Sequence, residues 1–219
     1  MTTTTFAEGN YTGEFLVSES PQPNYSREVV TLAAGQNLGP GTVLGKITTG
    51  SSAAVAAFAH NASGTGTIAS VTVSAGAKPG AYKVVMIEPG SGAGTFTVED
   101  PDGVVVGTGA VGSAFSGGGL AFTVADGTPD FVAGEGFTIT VAAGAGTHTQ
   151  FNQDAANGSQ HAAGILYGAV DASGGAASAV AIVRDAIVNG DLLVWPSDIE
   201  AGEKAAAIAE LKALGILVR

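Results

Sequence analysis

The chain contains no cysteine. That excludes disulfide bracing, thiolate nucleophiles and cysteine-based metal sites, and nothing points to an oxidising compartment. Basic residues are also scarce: 8 Lys and Arg stand against 19 Asp and Glu, for a net charge of −11. Nucleic-acid binding needs clustered cations to neutralise phosphates, and so few cannot supply them. An anionic membrane surface would repel such a chain for the same reason. No run of roughly 18 apolar residues occurs, so no transmembrane helix is expected. The opening MTTTTFAEGN has neither a basic stretch nor an apolar one, so no signal peptide is expected, and the N-x-[S/T] matches at Asn24, Asn61 and Asn157 carry little weight. Aromatic residues amount to 6%, with a single tryptophan, Trp195. Val, Ile, Leu and Ala must therefore build the cores.

Reactive groups do not assemble in the sequence either. Nucleophilic catalysis needs a serine, a base and an orienting group, and no G-x-S-x-G elbow occurs. Paired carboxylates for glycoside cleavage leave no sequence signature, but such sites usually need aromatic platforms, which are few here. His60, His148 and His161 are scattered, whereas zinc wants three or four convergent ligands. Asp100, Asp102, Asp126, Asp130 and Glu135 lie near turns and could gather around Ca²⁺. Yet DPDG (100–103) lacks the alternating acids and closing glutamate of a calcium loop, and turn aspartates ordinarily serve the backbone. GTGAVG (107–112) matches the dinucleotide fingerprint, but SAFSGGGLAFTV follows it where a helix would have to receive the pyrophosphate. The expectation is no enzymatic activity, no cofactor and no metal.

What is abundant is glycine, 34 residues, beside 45% hydrophobic residues and 12% charged ones. So apolar a chain is not disordered. So much glycine suits short strands and tight turns. Residues 1–27 are polar, with EFLV their one apolar run. They read either as a frayed terminus or as an arm that orders on a partner by strand addition through Phe15, Leu16 and Val17. EVVTL and TVLGKIT in 28–60 read as strands. Residues 64–141 hold 17 of the glycines, by direct count, and alternate with period 2 in SVTVSA, YKVVMI, TFTVED, LAFTVA and FTITVA. Strands at that spacing imply an antiparallel sandwich or small barrel. Residues 142–163 are a polar connector, and 164–219 return to the composition of 28–60. Hence 28–63 and 142–219 are expected to fold together as a discontinuous core, with 64–141 inserted as an all-β domain.

Near the C-terminus, SDIE (197–200) has the capping-box pattern with Ser197 as cap. A helix should follow, with Ile208, Leu211 and Leu214 on one face and Gly215 ending it. ILVR then reads as a strand, and VNGD as a hairpin turn between AIV and LLVW. The expected fold class is mainly β with a small α component.

The order of the outer segments is similar to one known family. GEFLVSE, then SREVVTLAAGQNLGPGTVLGKIT, then DAANGSQHAAGILYGAVDAS, then AIVRDAIVNGDLLVW with its closing helix and strand, resembles the lambda-type head decoration proteins of tailed bacteriophages. The central segment looks like a β module found inserted in phage virion proteins, and the smallest family members lack it. The resemblance implies a non-enzymatic virion protein, made in the host cytoplasm and placed on the outer surface of the capsid. It implies a homotrimer at local three-fold positions that binds the major capsid protein and cements the expanded shell against DNA pressure. The N-terminal arm would then order on the capsid, with Phe15, Leu16 and Val17 as contacts. Leu192, Val194 and Trp195 are candidates for trimer or shell packing, although apolar strand residues are more often core. A second reading is a glycan- or host-surface-binding module of a fibre or adhesin, acting through the insert. Its weakness is that the insert's aromatics, Tyr82 and five Phe, mostly sit at positions that read as core.

Overall fold

Alternating apolar residues form strands through most of the described chain, residues 9–61 and 63–219 of a computed structural model. The chain divides into two units: an outer one, running up to Ile47 and again over Gly146–Arg219, and an inserted one, Thr48–Ala145. The outer unit begins with β1 (Leu16–Glu19), a single helical turn α1 (Pro23–Ser26), β2 (Arg27–Leu32), β3 (Gln36–Leu38) and β4 (Val43–Lys46). The inserted unit supplies β5 (Thr49–Ala57), β6 (Thr67–Val73), β7 (Gly80–Gly90), β8 (Ala93–Glu99), β9 (Val105–Ala110), β10 (Ala114–Gly117), β11 (Leu120–Ala125) and β12 (Gly136–Ala143). The outer unit resumes with β13 (His148–Gln150), β14 (Ala162–Leu166), β15 (Val170–Ala172), β16 (Ala177–Ile182), β17 (Ala186–Val188), helix α2 (Ala201–Ala213) and β18 (Ile216–Val218). The protein is mainly β with a small α component, as its composition implies.

In the outer unit, β13-β2-β16-β14-β4 close into a barrel. Closure removes the open edges that a small sheet would otherwise expose. Along β2, Val30 and Leu32 point into the core while Val29 and Thr31 point out. Ala179 and Ala181 of β16 join Leu44 and Leu166 in that interior. Gly45 of β4 lies against the Ser159 carbonyl, where any Cβ would collide with backbone. A second cluster, with Phe15, Val43, Phe151, Ile165, Ile182, Leu211 and Ile216, packs the barrel against α2 and the sheet β1-β17-β18. Helix α2 contributes Ala207 and Leu211, four residues apart and so on one face.

The inserted unit is a sandwich. A five-stranded sheet, β5-β12-β7-β8-β9, and a three-stranded one, β10-β11-β6, share one core, and every strand pair is antiparallel. Tyr82 and all five Phe of 64–141 lie in that core. The Tyr82 hydroxyl donates to the Gly118 carbonyl at 3.0 Å and accepts from the Lys78 N–H at 2.7 Å, so its burial leaves no orphaned polar group. DPDG forms the expected turn: the Asp100 carboxylate accepts from the N–H groups of Asp102 and Val104, both at 2.9 Å, and Gly103 has φ +79°. The Lys78 ammonium beside it, with these N–H donors, holds the Asp100 carboxyl below the usual range. GTGAVG falls on strand β9 and the turn after it, and strand β10 follows.

Four expectations need correction. First, the inserted unit is longer than 64–141. Strand β5, whose small residues group it by composition with the outer part, pairs along β12 and belongs to the insert. Second, 1–27 is not wholly an arm. Residues 1–8 lie outside the described residues, but Gly13 donates to Tyr167, Asn10 donates to Leu192, and β1 pairs with β17. Third, the helix cap is Glu200 rather than Ser197. Glu203 accepts from the Glu200 N–H at 2.8 Å, so the box is shifted by three residues. Fourth, VNGD is not a hairpin. Both edges of β17 are taken, by β1 and β18, so LLVW has no edge to pair with. Instead Asn189 caps a short 3₁₀ turn, Gly190–Leu192.

His148 is buried in β13, and its Nδ1 has no hydrogen-bond partner. Burial, with the nearby Lys46 charge, pushes its pKa down, and Glu28 opposes this only in part. Folding thus keeps the ring neutral, while the unfolded chain takes up a proton near 6.5. The stabilisation is complete above that pH and is lost as pH falls below it. The melting temperature should therefore drop between about pH 7.5 and 5.5, where few carboxylates titrate. His148→Gln should flatten that slope; an unchanged slope would show that another group governs it.

Candidate interaction surfaces

Beside a groove of about 500 Å³ lined mainly by polar residues, among them Gln36, Gln150, Asn152, Asn157 and Asp198, the outer unit opens two surfaces that carry apolar side chains. The first lies on the barrel wall. Val29 of β2 and Val180 of β16 are direct cross-strand partners, both facing out, and are 75% and 38% exposed. Tyr167, Gly168, Ala169, Val170, Ser178 and Ala179 complete a groove of about 320 Å³ around them. No lining residue is charged. At its edge the Arg27 guanidinium stacks 4.0 Å from the Tyr167 ring centroid and pairs with Glu19 at 2.6 Å, which neutralises it. Tyr167 is held from behind by Gly13, whose position leaves no room for a Cβ against the ring.

The second surface is the outward face of the sheet β1-β17-β18. Ala186, Val188 and Ile216 point into the core, so Ile187 and Leu217, adjacent in parallel register, point away from it. Ser18 lies opposite Ile187, and Val17, at a bulge in β1, is 65% exposed. Asp185 and the Arg27-paired Glu19 line the same shallow depression.

The residues singled out from sequence fall differently. Phe15 is wholly buried in the outer core, and Leu16 packs on that core. Of the three arm candidates only Val17 presents its side chain to solvent. Leu192 and Trp195 are half-buried against the core, with Trp195 edge-on to Phe151 at 6.1 Å between centroids. Val194 bonds through its main chain to Gly41 and Val43 but leaves its side chain 39% exposed. Sequence reading missed Val29, Val180, Ile187 and Leu217. The signal was available for Val29: in REVVTL the alternation puts one valine of the VV pair outside. Tyr82 and the five Phe of 64–141 are buried and offer no stacking platform for a glycan, while Phe58, which the longer insert also holds, is half-buried and stacks on the His60 ring at 5.2 Å between centroids. Among the described residues no group of His, Asp and Glu side chains converges as a metal site, and no helix is long and apolar enough to cross a membrane.

A small closed barrel, braced by one helix, interrupted by a sandwich and greasy on its outer wall, defines a class of two-unit β proteins that carry exposed apolar faces. Comparison with known families identifies the member. Residues 5–216 match the family of the bacteriophage lambda head decoration protein D, and the chain belongs to that family. It is a structural protein of the phage head, associated with the virion capsid. No curated protein matches the chain. Among solved structures, two crystal forms of Xanthomonas campestris FlgL are 23% identical over 49% and 50% of this chain and 34% and 33% of theirs, each with a TM-score of 0.33. The flagellar junction protein FlgL from Legionella pneumophila is 20% identical over 47% of this chain and 37% of its own, with a TM-score of 0.35. The chain spans about a third of the length of these structures, and likenesses so distant carry no functional argument.

Burial separates core from surface sharply enough to test. Phe15→Ala should destabilise the protein by about 3–5 kcal/mol, read by denaturant unfolding. Val17→Thr and Val29→Thr keep the β-branch and should stay within about 0.5 kcal/mol of the parent. A large loss for Val29→Thr would mean that its side chain is covered.

Proposed function

We propose that this protein binds the outside of the expanded phage head as a homotrimer and cements neighbouring subunits of the major capsid protein against the pressure of packaged DNA. The observation that carries the reading is the apolar surface that the outer unit leaves in water, in a chain that belongs to a head decoration family. The two faces suit different partners. Copies of an acidic chain repel one another wherever acids meet, so the uncharged Val29–Val180 groove suits a sister copy. The Ile187–Leu217 face, beside the exposed Val17 of β1, has Asp185 at its rim and suits a foreign surface that is neutral or basic.

Burying on the order of 1,000 Å² of apolar surface per copy supplies a gross term of roughly 25 kcal/mol. Association and side-chain ordering remove much of it. Three copies held together turn each further contact into an intramolecular event, so weak faces suffice for firm attachment. Bound protein then stabilises the shell by mass action, since it binds the assembled form.

The test uses the full chain with purified expanded shells. Val17→Asp and Leu217→Asp should weaken shell binding at least ten-fold while leaving oligomeric mass unchanged, and Val29→Asp should lower the mass. Wild-type decoration by Val17→Asp and Leu217→Asp would overturn the assignment of the shell face. A wild-type monomer that ignores shells would overturn the whole reading.

A further inference from the structure

Strand β5 is the edge of the five-stranded sheet, and among the described residues its only strand partner is β12. From Ala53 to Ala57 it runs in unbroken register with Val141 to Phe137. Its other side carries a row of N–H and C=O groups with no ladder partner. Ser51, Ser52, Ala54, Ala56 and Ala57 are exposed. Natural edge strands are usually blunted by a lysine, a proline, a bulge or shortness. β5 has nine residues and contains neither proline nor charge; its pairing with β12 shifts register between Thr49 and Ala53, so its regular edge is Ala53–Ala57, spanning about 17 Å. The opposite edge, β9, has six residues and shifts register at Val98/Glu99.

The surroundings of β5 are equally neutral. No Asp, Glu, Lys or Arg occurs between Lys46 and Lys78, a stretch that holds β5 and also β6, the neighbouring edge strand of the facing sheet. In a chain of net charge −11, this is a corner where two copies can approach with little repulsion. Val55 is the one large exposed side chain of the strand, and its other residues are small, so recognition there is mainly by main chain. A strand of equally small residues fits closest.

We propose that β5 pairs antiparallel with β5 of a second copy, joining two inserted units about a two-fold axis. The contact is separate from the barrel groove and goes beyond attachment to a shell. It cross-links copies through the inserted unit. Screening of the overall negative charge should strengthen it, so association should rise with salt.

The absence of cysteine makes a direct test possible. Ser51→Cys, Ser52→Cys, Ala54→Cys and Ala56→Cys, each introduced singly, would be oxidised mildly in the full-length protein. A disulfide needs Cα atoms within about 4.4–6.8 Å, so covalent dimers should peak at the position nearest the axis and fall away on either side. Dimers at none of the four, or equally at all four, would overturn the proposal. In parallel, sedimentation of the Ala54→Lys/Ala56→Lys double variant should show self-association at least ten-fold weaker, with the larger species lost and the groove-mediated one kept. An unchanged mass distribution would also overturn it. Shell decoration by the same variant should match the parent, which separates failure here from failure of the shell-binding reading.

Discussion

The constraint on which this architecture depends is the pairing of β4 with β13. These strands stand on either side of the insertion, at Val43–Lys46 and His148–Gln150, and they zip antiparallel through His148↔Lys46, Thr149↔Gly45 and Gln150↔Leu44. The ladder carries on to Ile47, which exchanges hydrogen bonds with Gly146 and Thr147 at 2.9 Å. The two ends of a segment nearly a hundred residues long are thus held a strand's width apart by the barrel's own backbone. Closing a loop costs entropy that grows only slowly with its length. A folded insert whose own ends meet, as Thr48 and Gly144 do here, removes even that cost. The barrel therefore accepts the sandwich without changing its strand order.

Closure also explains the composition. A barrel of five short strands has a narrow interior, and Ala179, Ala181 and Gly45 fill places where larger residues would not fit. Leu32, Leu44 and Leu166 share that interior, and the aromatic side chains lie outside it in a second core, where Phe15 and Phe151 pack with Leu211 of the helix and Ile216. Small residues alone bury little area per strand. Tying in residues 10–19 and the C-terminal strand supplies the rest. An N-terminal stretch that looks like a loose polar arm thereby becomes structural from Asn10 onward, and the face it helps to build is shaped by the fold itself.

Charge then divides the exterior. Asp185 stands at the terminal sheet and an internally neutralised Arg27–Glu19 pair at the edge of the barrel groove, whereas the residues lining that groove and the stretch holding β5 carry no charge. For a protein that acts through many weak contacts, like-charge repulsion is what keeps it soluble and apolar patches are what direct it. Membership of the head decoration family and the placement of those patches agree on a role fulfilled by surfaces.

Much of this was legible in the amino-acid order. Period-2 alternation marked the insert's strands, DPDG marked its turn, and the segment order marked the family. Low charge and absent cysteine set the kinds of partner and chemistry to expect. These features are local or compositional, so one chain suffices to read them. Other features were settled by pairing at a distance. Whether β5 sided with the outer or the inserted unit depended on β12, some 80 residues away, because Ala-rich strands carry no preference of their own. Whether VNGD turned a hairpin depended on β18 having already occupied the second edge of β17. Whether Phe15 or Val29 met water depended on which side of a closed wall each one fell, and a wall has an inside only once its last strand has joined its first.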